Sequence, residues 1–237
     1  MQRVDKYLTD NGYFESRNRA IDAIKRGKVF IDGKRAKPST KCNSDSKIDI
    51  DIEKFYVSRA SKKLELFLDE YPLELMGKKA LDIGSSTGGF VQILLEKGVK
   101  SVVAVDVGSN QLHPSLRANP KVKLYEQLDI REFNSRERFD IVTSDVSFIS
   151  TLQIINDIDR LSRSDIILLF KPQFEVGREV KRDSRGVVTD IKAIEQSRRV
   201  FEKTLADLGW KLHYSAKSKL TGKSGNVEFI YYYKKES

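Results

Sequence analysis

From Lys79 the sequence runs Lys79-Ala80-Leu81-Asp82-Ile83-Gly84-Ser85-Ser86-Thr87-Gly88-Gly89-Phe90, an apolar stretch that passes directly into a glycine-rich turn and then into an amphipathic segment. Strand, turn and helix in that order open a βαβ unit, and the turn is where such units receive a ligand. The pattern then repeats in coarser form. Strands are expected near 79–83, 101–105, 122–125, 139–144 and 165–170, with helices near 88–97, 150–161 and 190–208 between them. Short apolar strands separated by helices predict a mostly parallel, doubly wound α/β sheet of the Rossmann-like kind. Trp210–Ala216 and Val227–Tyr233 lack an intervening helix, so they are expected to close the sheet as an antiparallel pair.

The spacing Gly84, Gly88, Gly89 is neither the Gly-x-Gly-x-x-Gly of dinucleotide enzymes nor the Gly-Lys-Ser/Thr of a phosphate loop. It suits a ligand without phosphates that needs close backbone approach and carboxylate acceptors, as S-adenosylmethionine does. Candidate cofactor residues are Asp82, Gly84, Ser85, Ser86, Thr87, Gly88, Gly89 and Phe90, with Asp82 placed near an amino group. Asp106 ends the next strand, where a carboxylate can accept from both hydroxyls of a ribose, and Asp129 follows the third strand, within reach of an adenine amine. No spacing of His, Cys, Asp and Glu suggests a metal site.

The fourth and fifth strands end in Asp145 and Lys171. In an open parallel sheet the carboxyl ends of the strands line the ligand crevice, so these opposite charges are expected within reach of one another. An antiparallel last strand begins at that same edge, which brings Glu228 beside them. Lys63, on the helix before the sheet, supplies a second candidate lysine. Structural ion pairs are the competing reading of these charges. The segment 173–188 is either a mobile lid or an ordinary surface loop.

The first fifty residues form a separate small α+β module. Helices are expected from Arg3 to Asn11 and from Ser16, a good N-cap, to Gly27; strands follow around the Asp32-Gly33 turn and at 47–50. Residues 51–57 then form a linker, and the larger domain runs from 58 to 237. The formal net charge is +9, with eleven basic and five acidic residues up to Lys41 and fifteen and nine from Lys171 onward, which favours a polyanionic partner. A single cysteine, Cys42, excludes an intramolecular disulfide, no apolar run approaches the length of a membrane span, and a cytoplasmic location is the expectation.

Several stretches together resemble the FtsJ-like ribose methyltransferases, and among them the TlyA-type rRNA methyltransferases: Tyr56-Val57-Ser58-Arg59-Ala60-Ser61-Lys62-Lys63-Leu64, Asp82 to Phe90, Ser144 to Ser150, Phe170 to Val176, Arg182-Asp183-Ser184-Arg185-Gly186-Val187-Val188 and Gly225-Asn226-Val227-Glu228-Phe229. The resemblance implies a catalytic Lys-Asp-Lys-Glu tetrad on Lys63, Asp145, Lys171 and Glu228. Thr87 stands where the wider FtsJ group has proline, in keeping with the TlyA type. The first module resembles the ribosomal protein S-four type of RNA-binding domain through Arg3, Asp5, Tyr7-Leu8, Ser16-Arg17, Ala20-Ile21, Gly27-Lys28-Val29 and Asp32-Gly33-Lys34. RNA contacts are expected from Arg3, Arg17, Arg19, Lys25, Arg26, Lys28, Lys34, Arg35 and Arg59.

The implied activity is S-adenosylmethionine-dependent methylation of a cytidine 2′-hydroxyl in ribosomal RNA within ribosomal subunits, most simply the large one, with Lys171 as the base. To accept a proton Lys171 must first lose one, which desolvation, the nearby Lys63 and a cationic sulfonium favour, while Asp145 and Glu228 oppose it and orient the two ammonium groups. Competing readings are a noncatalytic RNA-binding ribosome-assembly factor and a haemolysin; the second needs a membrane-seeking segment, and none is evident.

Overall fold

A computed structural model describes residues 1–14, 16–51 and 55–235 of the chain. Two compact units result, Met1–Phe55 and Tyr56–Ser237.

In the first unit a short strand β1 (Gln2–Arg3) leads into helix α1 (Val4–Asp10), followed by α2 (Arg17–Lys25). Ser16 caps α2 by accepting from the Arg19 amide, and Val4, Leu8, Ala20 and Ile24 are buried between the two helices and the sheet. Strands β2 (Val29–Ile31) and β3 (Lys34–Arg35) form an antiparallel hairpin whose turn residues Asp32 and Gly33 have φ of 52° and 75°. Two consecutive positive φ values are what a tight two-residue hairpin turn needs, and Asp-Gly tolerates them. β4 (Lys41–Cys42) pairs with β1, and β5 (Ile48–Ile50) pairs with β2. The small β1–β4 sheet was not expected from sequence, because two-residue strands carry no periodicity.

Asp51 closes back on the first unit, its amide donating to the Lys28 carbonyl and its carboxylate pairing with Lys28. Tyr56 and Val57 pack on the apolar cluster of the second unit. The middle of the expected linker, 52–54, and the last two residues of the expected larger domain lie outside the described residues.

The second unit begins with helix α3 (Arg59–Glu70) and contains a seven-stranded sheet. Its strands are β6 (Lys79–Ile83), β7 (Ser101–Val105), β8 (Val122–Tyr125), β9 (Phe139–Ser144), β10 (Ser162–Phe170), β11 (Trp210–Lys217) and β12 (Phe229–Lys235), in spatial order β11-β12-β10-β9-β6-β7-β8. Six strands run in one direction, and β12 alone runs antiparallel, between β10 and β11. The crossovers carry α4 (Gly89–Glu96), α5 (Pro114–Arg117), a 3-10 turn (Thr151–Ile154) continuing into α6 (Ile155–Leu161), then α7 (Pro172–Glu175) and α8 (Ile191–Asp207). The single-turn helices α5 and α7 are too short to leave a helical pattern in sequence. β10 is three residues longer than expected at its start because a bulge lies between Ser162 and Asp165.

Both faces of the sheet are covered, and the strands alternate accordingly. Ile166, Leu168 and Phe170 of β10 join Tyr231 and Tyr233 of β12 in one apolar cluster, while Ile167 and Leu169 join Ile230 and Tyr232 in the other. Period-two alternation between two buried faces explains why these strands read as unbroken apolar runs. The chain proceeds from β6 outward to β7 and β8, then returns to β9 on the other side of β6. At that reversal the connecting segments part and leave a crevice beyond the carboxyl ends of the strands. Among the described residues no helix is long and apolar enough to cross a membrane.

Candidate active site

Two adjoining cavities occupy this crevice. The smaller, about 530 Å³, is lined by residues that include Gly84, Asp106, Gly108, Leu128 and Asp129. The larger, about 1010 Å³, contains Lys63, Asp82, Asp145, Lys171 and Glu228 in its wall. Gly84, Ser86, Asp145, Ser147 and Phe148 belong to both.

The glycine-rich turn earns its composition at two points. Gly84 has φ 75°, and a Cβ there would sit 3.1 Å from Val146 Cγ1 and 3.2 Å from its Cα. A Cβ on Gly89 would run into Ser58 and Ala60 and lie 2.8 Å from the Ser61 amide, so glycine lets the first turn of α4 meet the first turn of α3. That contact fixes α3, and α3 carries Lys63. Gln92 reinforces it from α4, accepting from the Val57 amide at 3.0 Å and the Ser61 hydroxyl at 2.9 Å.

Asp82 is 1% exposed. The Thr143 hydroxyl donates to its Oδ1 at 2.6 Å, while Oδ2 has no partner. Burial is the main cause that pushes its carboxyl up to about 8; the Thr143 bond opposes this, and the negative charges of Asp145 and Asp106 add to it. A buried carboxylate this poorly matched calls for a cation. Ser58 Oγ, Ser85 Oγ and Gln173 Oε1 are likewise buried without a partner, and all four residues line the larger cavity. Buried polar atoms are nearly always satisfied, so such a concentration marks a wall shaped for a polar ligand.

Asp106 is organised differently. Its Oδ2 accepts from the Ser86 amide and its Oδ1 from the Gly108 amide, each at 2.7 Å. These two bonds hold the glycine-rich turn against the loop after β7, including Ser86 at a φ of 45°. Each oxygen keeps lone-pair capacity toward the smaller cavity. Asp129 accepts from the Arg131 amide and from two nitrogens on one edge of its guanidinium, and the Arg131 side-chain bond is the main cause holding its carboxyl below the usual range. Asp129 therefore comes to the smaller cavity already paired with Arg131.

Lys171 follows β10, and its Nζ lies 2.6 Å from Asp145 Oδ1, 2.8 Å from Ser147 Oγ and 3.2 Å from the Asp145 carbonyl. The Ser147 hydroxyl and the Asp145 carbonyl accept hydrogen bonds from the ammonium, and the Asp145 carboxylate adds an ion pair. Lys63 makes an ion pair with Glu228, the residue just before β12; Glu228 is buried and Lys63 partly so. The tetrad therefore stands as two lysine–carboxylate pairs in the wall of one cavity, assembled from positions up to 165 residues apart.

Sequence reasoning missed several neighbours. Thr143 and Ser147 are inconspicuous until β9 and β10 are paired. Phe148 is 92% exposed with φ 68° and lies against Phe174 at 5.3 Å between ring centroids. An exposed aromatic held in a left-handed conformation on the rim of both cavities is a ready stacking surface. The segment 173–188 is pinned in this structure: Glu175 accepts from the Ser150 hydroxyl and the Thr151 amide, and Arg182 donates to the carbonyls of Gln173, Gly177, Arg178 and Val180.

Of the basic residues expected to touch RNA, Arg3 and Arg17 both donate to the buried Asp5, Arg26 pairs with Asp22, Lys28 with Asp51, and Arg35 donates to the Gly27 carbonyl. Arg19 lies over the Phe55 ring, while Lys25 and Lys34 are exposed. Arg59, in the second unit, lines the larger cavity and donates to the Thr221 carbonyl.

Comparison with known proteins agrees with this anatomy. The FtsJ-like methyltransferase family matches residues 56–235, and the S4 domain family matches residues 2–48. The 23S rRNA (cytidine-2′-O)-methyltransferase TlyA of Campylobacter jejuni is 48% identical over 238 residues, covering 92% of this chain and 94% of its own. The 16S/23S rRNA (cytidine-2′-O)-methyltransferase TlyA of Mycobacterium tuberculosis is 38% identical over 236 residues, covering 96% and 88%. A solved structure from Streptococcus thermophilus, labelled a hemolysin, superposes with a TM-score of 0.73 at 32% identity, covering all of this chain and 89% of that one. With the family models spanning both units and relatives this similar over nearly the whole length, the chain belongs to the FtsJ-like methyltransferases, in their TlyA type with an S4 domain ahead of the catalytic domain.

Proposed function

We propose that this protein transfers a methyl group from S-adenosylmethionine to the 2′-hydroxyl of a cytidine in ribosomal RNA, within the large ribosomal subunit. The observation that carries the reading is the placement of Lys63, Asp145, Lys171 and Glu228 in one cavity that shares a wall with a second, carboxylate-lined one. The FtsJ-like family and the rRNA methyltransferase relatives support the same chemistry.

The residues present fit the cofactor. Oδ2 of Asp82, buried and unpartnered, suits an ammonium; Asp106 can accept from ribose hydroxyls while holding the turn; Asp129 faces the same cavity. When bound, S-adenosylmethionine supplies an electrophilic methyl on a sulfonium. The chain's own work is to align a ribose oxygen and to remove its proton. Lys171 takes that proton at Nζ after giving one of its own to solvent, and the contacts to Asp145 and Ser147 keep its nitrogen aimed while it does so. Lys63 and Glu228, held to each other as an ion pair, complete the charged wall around the reacting ribose. The rings of Phe148 and Phe174 offer the base a face to stack on. In the first unit, exposed basic residues grip RNA through phosphates and shape rather than base edges.

The test is a labelled methyl-transfer assay on large ribosomal subunits from cells lacking the protein, with the product mapped to its nucleotide. Label on a cytidine 2′-oxygen is expected, and Lys171→Met should lower turnover by about a thousandfold with cofactor affinity nearly unchanged. No transfer by the wild-type chain leaves the noncatalytic assembly role as the better reading; normal transfer by the variant removes Lys171 from the chemistry.

A further inference from the structure

Besides the tetrad, the wall of the larger cavity includes two short segments, one around Arg182–Val188 and one around Thr221–Asn226. Both are built to a fixed shape. Asp183 Oδ1 accepts from the amides of Arg185 and Val187 at 2.8 and 2.9 Å, and its Oδ2 accepts from the Arg185 guanidinium at 3.0 and 3.2 Å. In the second segment the Gly222 amide donates to the Asn226 carbonyl at 2.8 Å, closing a turn that exposes Lys223.

Asn226 joins the two. Its buried side chain accepts from the Val188 amide at 3.0 Å and donates to the Gly186 carbonyl at 3.4 Å, about forty residues away in the chain, while its backbone closes the Gly222 turn. The joint sits two residues before Glu228.

The two arginines of the first segment have opposite roles. Arg182 spends its guanidinium on four backbone carbonyls and is a structural tie. Arg185 commits only the Nε and one terminal nitrogen to Asp183, leaving its side chain 71% exposed at the cavity wall with the other edge of the fork available. A guanidinium oriented by a carboxylate on one edge presents a pre-set pair of donors on the other, which suits a phosphate.

We propose that Arg185 and Lys223 form a phosphate-gripping site for the RNA strand that carries the methylated ribose, and that Asn226 is the positioning residue that holds its two halves together. The proposal rests on the RNA-methylating reading above and deepens it. The ligand is a phosphodiester flanking the target nucleotide. Such contacts fix where the ribose lies along the strand without reading its sequence. They hold the ground state and the transition state equally, so they act on KM.

The experiment measures methyl transfer and, separately, filter binding of the full-length chain to unmethylated large ribosomal subunits across a series of salt concentrations. Arg185→Gln and Lys223→Gln should each raise KM and the dissociation constant by on the order of tenfold, leave kcat and cofactor affinity in place, and reduce the slope of log affinity against log salt by about one. Asn226→Ala should weaken subunit binding similarly and open Arg182 and Arg185 to trypsin. Asn226→Asp, which keeps the acceptor for Val188, should restore part of the affinity. The double variant of Asn226→Ala and Arg185→Gln should lose less than the sum of the two single losses. Unchanged salt slopes in both glutamine variants overturn the proposal. A wild-type chain that binds subunits but transfers no methyl overturns the catalytic reading instead, and the binding slopes still judge the phosphate site.

Discussion

Two aspartates, one in each unit, are buried to nearly the same degree and yet lie at opposite electrostatic extremes. Asp5 is 0% exposed and receives the guanidinium groups of Arg3 and Arg17, at 3.0 and 2.7 Å. Burial pushes its carboxyl up, but the bonds and charges of Arg17 and Arg3 outweigh that and hold it down at about 2. Asp82 has one hydroxyl donor and no cation, and burial drives it up to about 8. Asp5 completes an ion triad that ties α1 to α2; Asp82 keeps an unpartnered oxygen in the wall of the larger cavity, where the proposed function places the cofactor's ammonium. A buried charge with all its partners belongs to the fold, and one without them belongs to a ligand.

The comparison breaks most visibly at Asp82. Replacing it with asparagine should weaken binding of S-adenosylmethionine or S-adenosylhomocysteine by on the order of a hundredfold, the loss of one charge-assisted bond in a dry site. The melting temperature of the ligand-free chain should stay the same or rise, because the penalised charge is gone. The pH dependence supplies the sign. With a carboxyl raised to about 8, the ligand-free protein holds a proton on Asp82 that an incoming ammonium must displace, so affinity should rise by up to tenfold per pH unit below about 8 and flatten above it. Calorimetric titration of Asp82→Asn should show no such rise. A collapse of the fold with unchanged binding in the properly folded fraction would make Asp82 a structural residue like Asp5.

The reverse experiment acts on Asp5. Asp5→Asn should cost the first unit about 2 kcal/mol, seen as faster hydrogen exchange in α1 and α2, with cofactor affinity untouched. A depressed carboxyl contributes its stability above its ordinary value of 3.8 and loses it as the pH falls through about 2, so the difference between wild type and variant should be full at neutral pH and vanish in strong acid. Slowed exchange, or a drop in cofactor affinity with α1 intact, contradicts the assignment.

The same contrast explains what could be read before the fold was known. Asp106, Asp145 and Lys171 are legible because each is a charge at the end of an apolar strand, and parallel sheets put such ends at the crevice. Glu228 and Lys63 were weaker candidates that the family resemblance strengthened, since neither an amphipathic helix nor the start of an antiparallel strand announces by itself that its charge turns inward. Thr143, Ser147, Asn226 and Arg185 stayed hidden: Thr143 acquires meaning from a partner 61 residues back, and Asn226 from one 38 back. Arg3 and Arg17 show the opposite difficulty. Their basic character suggested RNA alone, and only the burial of Asp5 reveals that both also bind the fold together. Local pattern reports where a side chain sits along an element, and long-range pairing decides which neighbour completes it.

The finest discrimination lies in Thr143, whose hydroxyl is the sole polar contact to Asp82 Oδ1 among the described residues. Thr143→Val keeps the shape of a fully buried side chain and removes only the donor. The bond from Thr143 favours the ionised carboxylate, so its loss should push the Asp82 carboxyl further up and move the plateau of cofactor affinity to higher pH. Near neutral pH the variant should bind about fivefold more weakly, the worth of one hydrogen bond, and the gap should narrow as the pH is raised and both proteins ionise. Thr143→Ser, which restores the hydroxyl, should recover the wild-type pH midpoint even where it lowers the melting temperature by leaving a methyl-sized gap. A valine variant that loses affinity equally at every pH would show that Thr143 shapes the cavity and leaves the charge of Asp82 alone. A shifted midpoint restored by serine would show that one threonine sets how far the buried carboxylate stands from its own ionisation.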